Sequence, residues 1–331
     1  MSSIADRVWG RRGPGTRTVV VAGRPIRIAV RPGTGTGPPL LLANGIGASL
    51  ETFEPFVAAL DPAIEVIRFD APGVGGSPLP ARPYRFSTLA RMLAGLLDQL
   101  GHESADILGI SWGGALAQQF ALTARGRCRR VVLVATGAGM FMVPGHPRVI
   151  ARLATPRRYT DPGYIRQIAG ELYGGTARDQ TQRIVDVLHP WTRVGPARGY
   201  LYQLAAGAGW TSLPLLPLVR QPTLILAGDD DPIIPVVNAR VMAALIPGAR
   251  LHVYHGGHVE LVLRPDLLAP LITEFLMARG DTARPGDTTD PDGQIPAAPP
   301  ADAGGPDVVV LDAEEVAEVR RRLHRRHLRS A

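Results

Sequence analysis

Residues 105–122 read ADILGISWGGALAQQFAL and place the pattern Gly-x-Ser-x-Gly at positions 109–113, with Ser111 at its centre. The run 105–108 before the pattern is strand-like, and the run 115–122 after it is helix-like. A serine at a strand-to-helix turn is held in a strained backbone conformation that exposes its hydroxyl, and flanking glycines let other segments approach closely. The helix directs its N-terminal N–H groups toward charge that develops beside the serine. The stretch therefore predicts a nucleophilic serine.

The pattern alone is short. With 38 glycines in 331 residues, it occurs by chance in on the order of one such chain in ten. An aspartate and a histidine follow it in the order Ser, Asp, His, each just past a predicted strand, which is the order of α/β-hydrolases. The predicted fold class is therefore the α/β-hydrolase fold: a mostly parallel central sheet with helices on both faces and a helical cap insertion.

The composition is that of a globular chain, with 45% hydrophobic residues and a mean hydropathy of +0.07. No apolar run reaches the roughly 18 residues of a membrane span, and no secretory signal is visible at the N-terminus. The single cysteine, Cys128, excludes an internal disulfide and is expected to pack rather than to act as a nucleophile. These features predict a soluble cytoplasmic protein.

The charge is basic, with a net value of +7, and all 36 basic residues are Arg. A basic surface can attract nucleic acid or anionic lipid. The bias toward Arg extends over the whole chain, however, and no zinc-finger or RNA-binding motif accompanies it, so we expect no nucleic-acid partner. No histidine–carboxylate spacing demands a metal, and the glycines at 73–76 lack a dinucleotide-binding context, so no metal or cofactor is predicted.

Strand and helix patterns alternate through most of the chain, which favours a mainly parallel sheet covered on both faces. Apolar residues from Leu89 to Leu100 recur at helical spacing and predict an amphipathic helix, and a second helix is predicted at 267–276. The predicted strands are 18–22, 25–31, 40–43, 65–69, 105–109, 131–135, 223–227 and 250–254.

The alternation stops between two predicted strands, in a segment with helical pieces at 165–172 and 181–188. An insertion of that size at the carboxyl edge of the sheet indicates a cap over the site, and a structural excursion unrelated to substrate is the alternative. The predicted division is an N-terminal extension (1–17), a hydrolase core (18–137 and 221–280) and the cap (138–220).

The C-terminal part has a different composition. Residues 281–307 are rich in Pro, Gly, Asp and Thr and predict a disordered linker. Residues 308–331 predict a basic helix, because Asp312 and Glu315 have N-cap and N3 spacing and six Arg lie at its far end. This tail is expected either to dock on a coated granule or another partner, or to be a solvated appendage.

A serine nucleophile requires a base, and the base requires a carboxylate that orients it. Residues 226–235, LAGDDDPIIP, end a predicted strand with three aspartates. Asp231 is the predicted acid, because Gly-x-x-Asp before Pro and an apolar pair resembles the acid turn of this fold. Asp229 and Asp230 are the alternatives, as solvated residues or caps of the next helix.

The predicted base is His258, which follows the last strand and two glycines that let the imidazole turn toward the serine. His255 is the near competitor and is more typical of a loop residue. His252 alternates along the strand and is expected to face solvent or a helix.

The oxyanion of the tetrahedral intermediate requires backbone N–H donors. Trp112, directly after the nucleophile, is one predicted donor. The loop after strand 40–43 reads Asn44-Gly45-Ile46-Gly47, and Ile46 is the other predicted donor. Many relatives begin this loop with His-Gly, where this chain has Asn44-Gly45.

Several large side chains of the insertion are candidates either for an acyl pocket or for packing of the cap itself. They are Met140, Phe141, Met142, Trp191, Tyr200, Tyr202 and Trp210.

Stretches distributed over roughly residues 18–280 resemble the intracellular depolymerases of medium-chain-length polyhydroxyalkanoates. They are IAVRPG (28–33), NGIGA (44–48), DAPGVGGS (70–77), PYRF (83–86), GISWGGALAQQF (109–120), PRRY (156–159), YGG (173–175), GWTS (209–212) and LAGDDDPIIP (226–235). The resemblance implies cleavage of a storage polyester to 3-hydroxyalkanoic acids. Polyester synthases share the fold but carry cysteine at the elbow, so Ser111 favours hydrolysis.

Two other functions stay open. One is a carboxylesterase or lipase that acts on small or medium-chain acyl esters. The other is a non-catalytic protein that binds a granule or lipid surface, against which the complete set of Ser111, Asp231 and His258 speaks.

Overall fold

The computed structural model describes residues 15–188, 193 and 195–278. Most of the predicted N-terminal extension, the predicted linker and the predicted C-terminal helix lie outside these residues, as does Trp191.

Eight strands in the described residues form one sheet, in the order β1-β2-β4-β3-β5-β6-β7-β8. The first two strands are a hairpin whose turn, Ala22-Gly23, has positive φ at both residues, and β2 also runs antiparallel to β4. All other pairs are parallel. The strands are β1 Thr16–Val21, β2 Arg24–Arg31, β3 Leu40–Ala43, β4 Val66–Phe69, β5 Ala105–Ile110, β6 Cys128–Val134, β7 Thr223–Gly228 and β8 Arg250–Tyr254.

The inner strands are buried along their whole length because helices cover both faces of the sheet. Every residue of β3, β4, β5 and β7 is buried. Helices lie between and after the strands: α1 Glu54–Ala59, α2 Phe86–Leu100, α3 Trp112–Thr123, α4 Pro147–Arg152, α5 Arg157–Thr160, α6 Pro162–Tyr173, α7 Thr176–Asp179, α8 Thr181–Leu188, α9 Ala197–Gly207, α10 Val237–Leu245, α11 Glu260–Leu263 and α12 Pro265–Met277. Short 3₁₀ helices occupy Leu50–Phe53, Arg125–Arg127 and Leu213–Leu218.

The predicted fold class is confirmed, and the amphipathic helix is α2. Its apolar stripe is buried from Leu89 to Leu97, and it ends at Gly101, whose φ of 80° is the left-handed conformation of a helix C-cap. Helices α4–α9 lie between β6 and β7, in the part of the chain that the sequence assigns to a cap; we call residues 138–220 the helical insertion. They share an apolar cluster with core loops that includes Ala48, Ile233 and Leu263.

Element boundaries differ where tertiary contacts override local propensity. Helix α3 begins at Trp112 rather than at 115, although glycine is a poor helix former. Glycine is required at position 113 because the first turn of the helix packs directly on β3: a Cβ on Gly113 would lie 2.0 Å from the carbonyl oxygen of Ala43. Likewise β6 begins at Cys128, three residues earlier than predicted, because its first residues pair with β5.

Candidate active site

Ser111 occupies the turn between β5 and α3 in a strained conformation, with φ 55° and ψ −119°. Positive φ in a residue with a side chain costs energy and persists only where surrounding structure imposes it. Two hydrogen bonds impose it here: the Ser111 N–H donates to the Val134 carbonyl oxygen (2.9 Å), and the Thr136 hydroxyl donates to the Ser111 carbonyl oxygen (2.8 Å).

The glycines around Ser111 are required by close backbone approach. A Cβ on Gly109 would lie 2.2 Å from the Gly113 carbonyl oxygen, and a Cβ on Gly114 would lie 2.4 Å from the Thr136 hydroxyl. The Gly-x-Ser-x-Gly-Gly sequence therefore lets the strand, the turn and the helix pack together with the serine at the apex.

Asp231 lies in the loop after β7 and is buried. Its Oδ1 accepts hydrogen bonds from the N–H groups of Ile233 and Ile234, both 2.9 Å. Its Oδ2 lies 2.7 Å from Nδ1 of His258. One oxygen is thus held by the loop backbone, and the other is directed at the imidazole.

His258 lies in the loop between β8 and α11 and is 5% exposed. Its ring lines the same cavity as Ser111. The structure therefore brings Ser111 and His258 to one cavity and places Asp231 on the far side of the imidazole, within hydrogen-bond distance of Nδ1.

The competing residues have other partners, and none of them lines this cavity. Asp229 pairs with the exposed His255 (3.0 Å), and this hydrogen bond raises the pKa of His255. Asp230 accepts two hydrogen bonds from Arg178, which hold the pKa of Asp230 below its ordinary value. The sequence analysis gave capping of the next helix as an alternative role for Asp229 and Asp230, but the N-cap of α10 is Val236.

Ile46 and Trp112, the predicted oxyanion donors, flank Ser111 from two sides. Ile46 lines the cavity, and Trp112 is the first residue of α3. In the described part of the chain, the N–H groups of these two residues have no hydrogen-bond acceptor. The Trp112 indole points elsewhere, because its Nε1 donates to the Gln203 carbonyl oxygen (2.9 Å).

The loop of Ile46 is fastened to the helical insertion. The Ile46 carbonyl oxygen accepts hydrogen bonds from Arg158 Nη2 and from the Tyr159 hydroxyl, both 2.9 Å. The Gly47 N–H donates to Gln203 Oε1 (2.7 Å). Asn44 closes the loop by donating to the Ser49 carbonyl oxygen (2.7 Å).

The cavity is small, with a volume of about 60 Å³. Its apolar and aromatic wall is formed by Leu153, Tyr159, Tyr173, Ile233, Val259 and Val262. The described residues that the sequence proposed for an acyl pocket do not line it; Met140 and Phe141 are exposed, and Trp210 packs on Phe86. Two segments that carry part of the family resemblance, PRRY (156–159) and YGG (173–175), contain Tyr159 and Tyr173 and could have indicated this wall from the sequence.

Glu260 is a further buried residue that the sequence did not single out. Its Oε1 accepts hydrogen bonds from the N–H groups of Thr176 (2.8 Å) and Gly257 (3.1 Å). Beside it, the Gly175 N–H donates to Asp230 Oδ2 (2.7 Å). The start of α7 is thus attached both to the loop of the acid and to the loop of His258.

Cys128 lies at the start of β6 away from the cavity, and burial raises the pKa of its thiol. Over the described residues, no three His, Cys, Asp or Glu side chains form a cluster suited to a metal ion. None of the helices described is long and apolar enough to cross a membrane.

Comparison with known proteins places this geometry in context. The sequence profile described as alpha/beta hydrolase fold matches residues 38–265. A poly(3-hydroxyalkanoate) depolymerase from Ectopseudomonas oleovorans is 50% identical over 260 residues, which cover 78% of this chain and 92% of that protein. A 3-oxoadipate enol-lactonase 2 from Acinetobacter baylyi is 27% identical over 69% of this chain and 85% of its own length. The crystal structure of a hydrolase from Pseudomonas aeruginosa PA01 superposes with a TM-score of 0.67 and 26% identity, covering 81% of this chain and 100% of that one.

Proposed function

We propose that this chain, which belongs to the α/β-hydrolase fold family and is a carboxylic ester hydrolase, cleaves the backbone esters of an intracellular poly(3-hydroxyalkanoate). The products would be 3-hydroxyalkanoic acids of medium chain length. The 50% identity to a depolymerase over nearly its whole length supports this substrate class.

The observation that carries the mechanism is the arrangement of Ser111, His258 and Asp231. Ser111 is half-buried at a strained turn, His258 lines the same cavity, and the buried Asp231 lies 2.7 Å from the Nδ1 of that histidine. We assign Ser111 as the nucleophile and His258 Nε2 as the base that takes its proton. Asp231 fixes the imidazole tautomer and stabilises the imidazolium that forms.

The reaction proceeds in two steps. Ser111 Oγ attacks the ester carbonyl carbon, and the N–H groups of Ile46 and Trp112 stabilise the negative oxygen of the tetrahedral intermediate. The ester C–O bond breaks, the leaving alkoxide takes the proton from His258, and a 3-hydroxyacyl-enzyme remains. A water molecule activated by His258 then releases the acid.

The shape and chemistry of the cavity support an acyl substrate. Its wall is largely apolar, and its volume of about 60 Å³ is far too small to enclose a folded polymer. The chain would therefore work on single polymer strands at the surface of storage granules in the cytoplasm.

Product analysis tests the proposal. The protein is incubated with medium-chain-length polyester granules, with polyhydroxybutyrate and with soluble aryl esters, and released acids are identified by chromatography. We expect 3-hydroxyalkanoic acids from the first substrate, and none from the matched variant Ser111→Ala. Labelling by a serine-reactive phosphonate should disappear in the same variant.

The runner-up is a carboxylesterase or lipase for soluble acyl esters, favoured by the small size of the cavity. Rapid turnover of aryl esters without release of acid from any polyester would establish it and overturn the depolymerase assignment.

A further inference from the structure

Arg158 is a cation in the cavity that the proposed mechanism does not use. It lies in the short helix α5 of the helical insertion and is 2% exposed. It lines the cavity that also contains Ser111 and His258.

Among the residues that the structure describes, the hydrogen-bond acceptors of this guanidinium are all neutral. Nη1 donates to the Tyr200 hydroxyl (2.8 Å) and to the Thr155 carbonyl oxygen (3.4 Å). Nη2 donates to the Ile46 carbonyl oxygen (2.9 Å) and to the Tyr159 hydroxyl (3.4 Å).

No carboxylate neutralises Arg158 in the described part of the chain, and no Asp or Glu lines the cavity there. Two aromatic faces partly compensate the charge, since the guanidinium carbon lies 4.5 Å from the ring centroid of Tyr159 and 5.4 Å from that of Tyr200.

A buried charge without a counter-charge is costly, and a guanidinium attracts a carboxylate strongly. Arg158 is held in position by neutral groups, and no carboxylate of the described residues pairs with its charge in the reaction cavity. That is the arrangement of a site which receives its anion from the substrate.

We propose that Arg158 binds the free carboxylate of the 3-hydroxy acid that forms the alcohol half of the scissile ester, an inference that rests on the proposed function. In such an ester only two carbon atoms separate the ester oxygen from the carboxyl carbon. Arg158 is correspondingly close to the proposed reaction centre, because it donates a hydrogen bond to the carbonyl oxygen of Ile46, the proposed oxyanion donor. When the ester C–O bond breaks, the alcohol oxygen takes the proton from His258, and the carboxylate of the released monomer stays on Arg158 until the product leaves.

Two matched substrates test this. One is the dimer of 3-hydroxyoctanoate with a free carboxylate, and the other is its methyl ester; cleavage of the internal ester is followed for both. We expect the wild type to prefer the acid by at least about tenfold in kcat/KM, the size of one charge-assisted hydrogen bond. Arg158→Gln should reduce that preference to about one.

The control is Arg157→Gln, because Arg157 is the adjacent residue on the same helix, is exposed and pairs with Asp161. It should keep the preference of the wild type. A wild type without preference overturns the proposal. An Arg158→Gln variant that loses activity on both dimers equally also overturns it, and leaves Arg158 only as a support for the Ile46 loop.

Binding to the Ser111→Ala protein gives a second readout that needs neither arginine variant nor catalysis. By calorimetry, 3-hydroxyoctanoate should bind at least about tenfold more tightly than methyl 3-hydroxyoctanoate; equal affinities overturn the proposal. If the wild type cleaves aryl esters but neither dimer, the depolymerase function fails, and the calorimetry still decides whether Arg158 holds a carboxylate.

Discussion

The backbone N–H of His258 donates a hydrogen bond of 2.7 Å to the carbonyl oxygen of Tyr173, the last residue of α6. The loop of the proposed base is therefore attached through its main chain to the helical insertion. Glycines permit the contact: a Cβ on Gly257 would lie 2.1 Å from this same carbonyl oxygen, and one on Gly174 would lie 1.9 Å from the carbonyl oxygen of Asp230. A displacement of the insertion would move His258 relative to Ser111.

Gly175→Ala tests this coupling. Gly175 has φ 48°, and a Cβ there would lie 2.1 Å from the Gly257 nitrogen, so the loop of His258 must shift. We expect kcat to fall by at least about tenfold, since small displacements of catalytic groups have large effects on rate. Gly207→Ala is the control, because Gly207 is helical and its Cβ would meet nothing within 4 Å. Unchanged kcat in Gly175→Ala would show that the two loops are independent.

The three consecutive aspartates give a graded prediction. Asp231→Asn should lower kcat by on the order of 10³–10⁴, because an amide no longer holds the imidazole in the required tautomer. Asp229→Asn and Asp230→Asn should cost less than about tenfold, since their partners His255 and Arg178 lie outside the cavity. Steady-state kinetics with one soluble ester measures the three variants. If Asp230→Asn proved the most damaging change, the assignment of Asp231 as the acid would be wrong.

Acid should weaken the attachment of Asp230 to the insertion. Hydrogen bonds from Arg178 hold the pKa of Asp230 below its ordinary value in the folded state. A lowered pKa gives stability that is complete above the unfolded value of about 3.9 and is lost as pH falls through the folded value. The difference in unfolding free energy between wild type and Asp230→Asn, measured with urea, should therefore be constant from neutral pH to about pH 5 and shrink below about pH 4.

The pair of His255 and Asp229 should respond in the opposite direction. Its hydrogen bond raises the pKa of His255, so its stabilisation is complete below the unfolded value of about 6.5 and is lost as pH rises through the folded value. In urea unfolding, His255→Gln should differ from the wild type at about pH 5–6 and converge with it at alkaline pH. Because the histidine is exposed, the difference is expected to be small. A constant difference across this range would contradict the assignment.

Truncation after residue 280 tests the role of the tail. Hydrolysis of soluble esters should stay almost unchanged, because every proposed catalytic residue precedes the cut. If the six Arg of the tail dock on anionic granules, the truncated form should bind granules more weakly at low salt, and the difference should shrink as salt screens charges beyond about 8–10 Å. Equal granule binding of both forms at low salt would exclude docking through the tail.

The sheet, and the convergence of the loops that carry Ser111, Asp231 and His258, could be predicted because each depends on local sequence. Apolar runs identify buried strands, and glycines mark the turns at their carboxyl ends, where the sheet brings separate loops together. The sequence favours Asp231 among three adjacent aspartates because an apolar pair and Pro follow it, and in the structure Asp231 is the one that lies beside His258.

The cavity wall could not be predicted, because it depends on contacts between distant segments. Met140 and Phe141 are hydrophobic, yet Gly139, with φ 87°, turns this segment outward, where the Met140 N–H donates to the Trp210 carbonyl oxygen. From the sequence alone, one of two consecutive arginines, such as Arg158, is expected to be exposed. Arg158 is buried only because Tyr159 and Tyr200 converge on it, and Tyr200 is 42 residues away.

The link that Glu260 makes between α7 and the loop of His258 limits how the substrate specificity of such enzymes can change. The carboxylate of Glu260 holds the first residue of α7 and the glycine before His258 with one oxygen atom, Oε1. Transplanting the insertion of a relative to alter chain-length preference would therefore disturb the loop of His258, unless the graft also supplied a glycine pair matching Gly174-Gly175 and an acceptor like Glu260. In evolution, the start of α7 and the loop of His258 are then expected to change together. New specificity should arise more readily by single substitutions on the wall of the cavity than by exchange of the whole insertion.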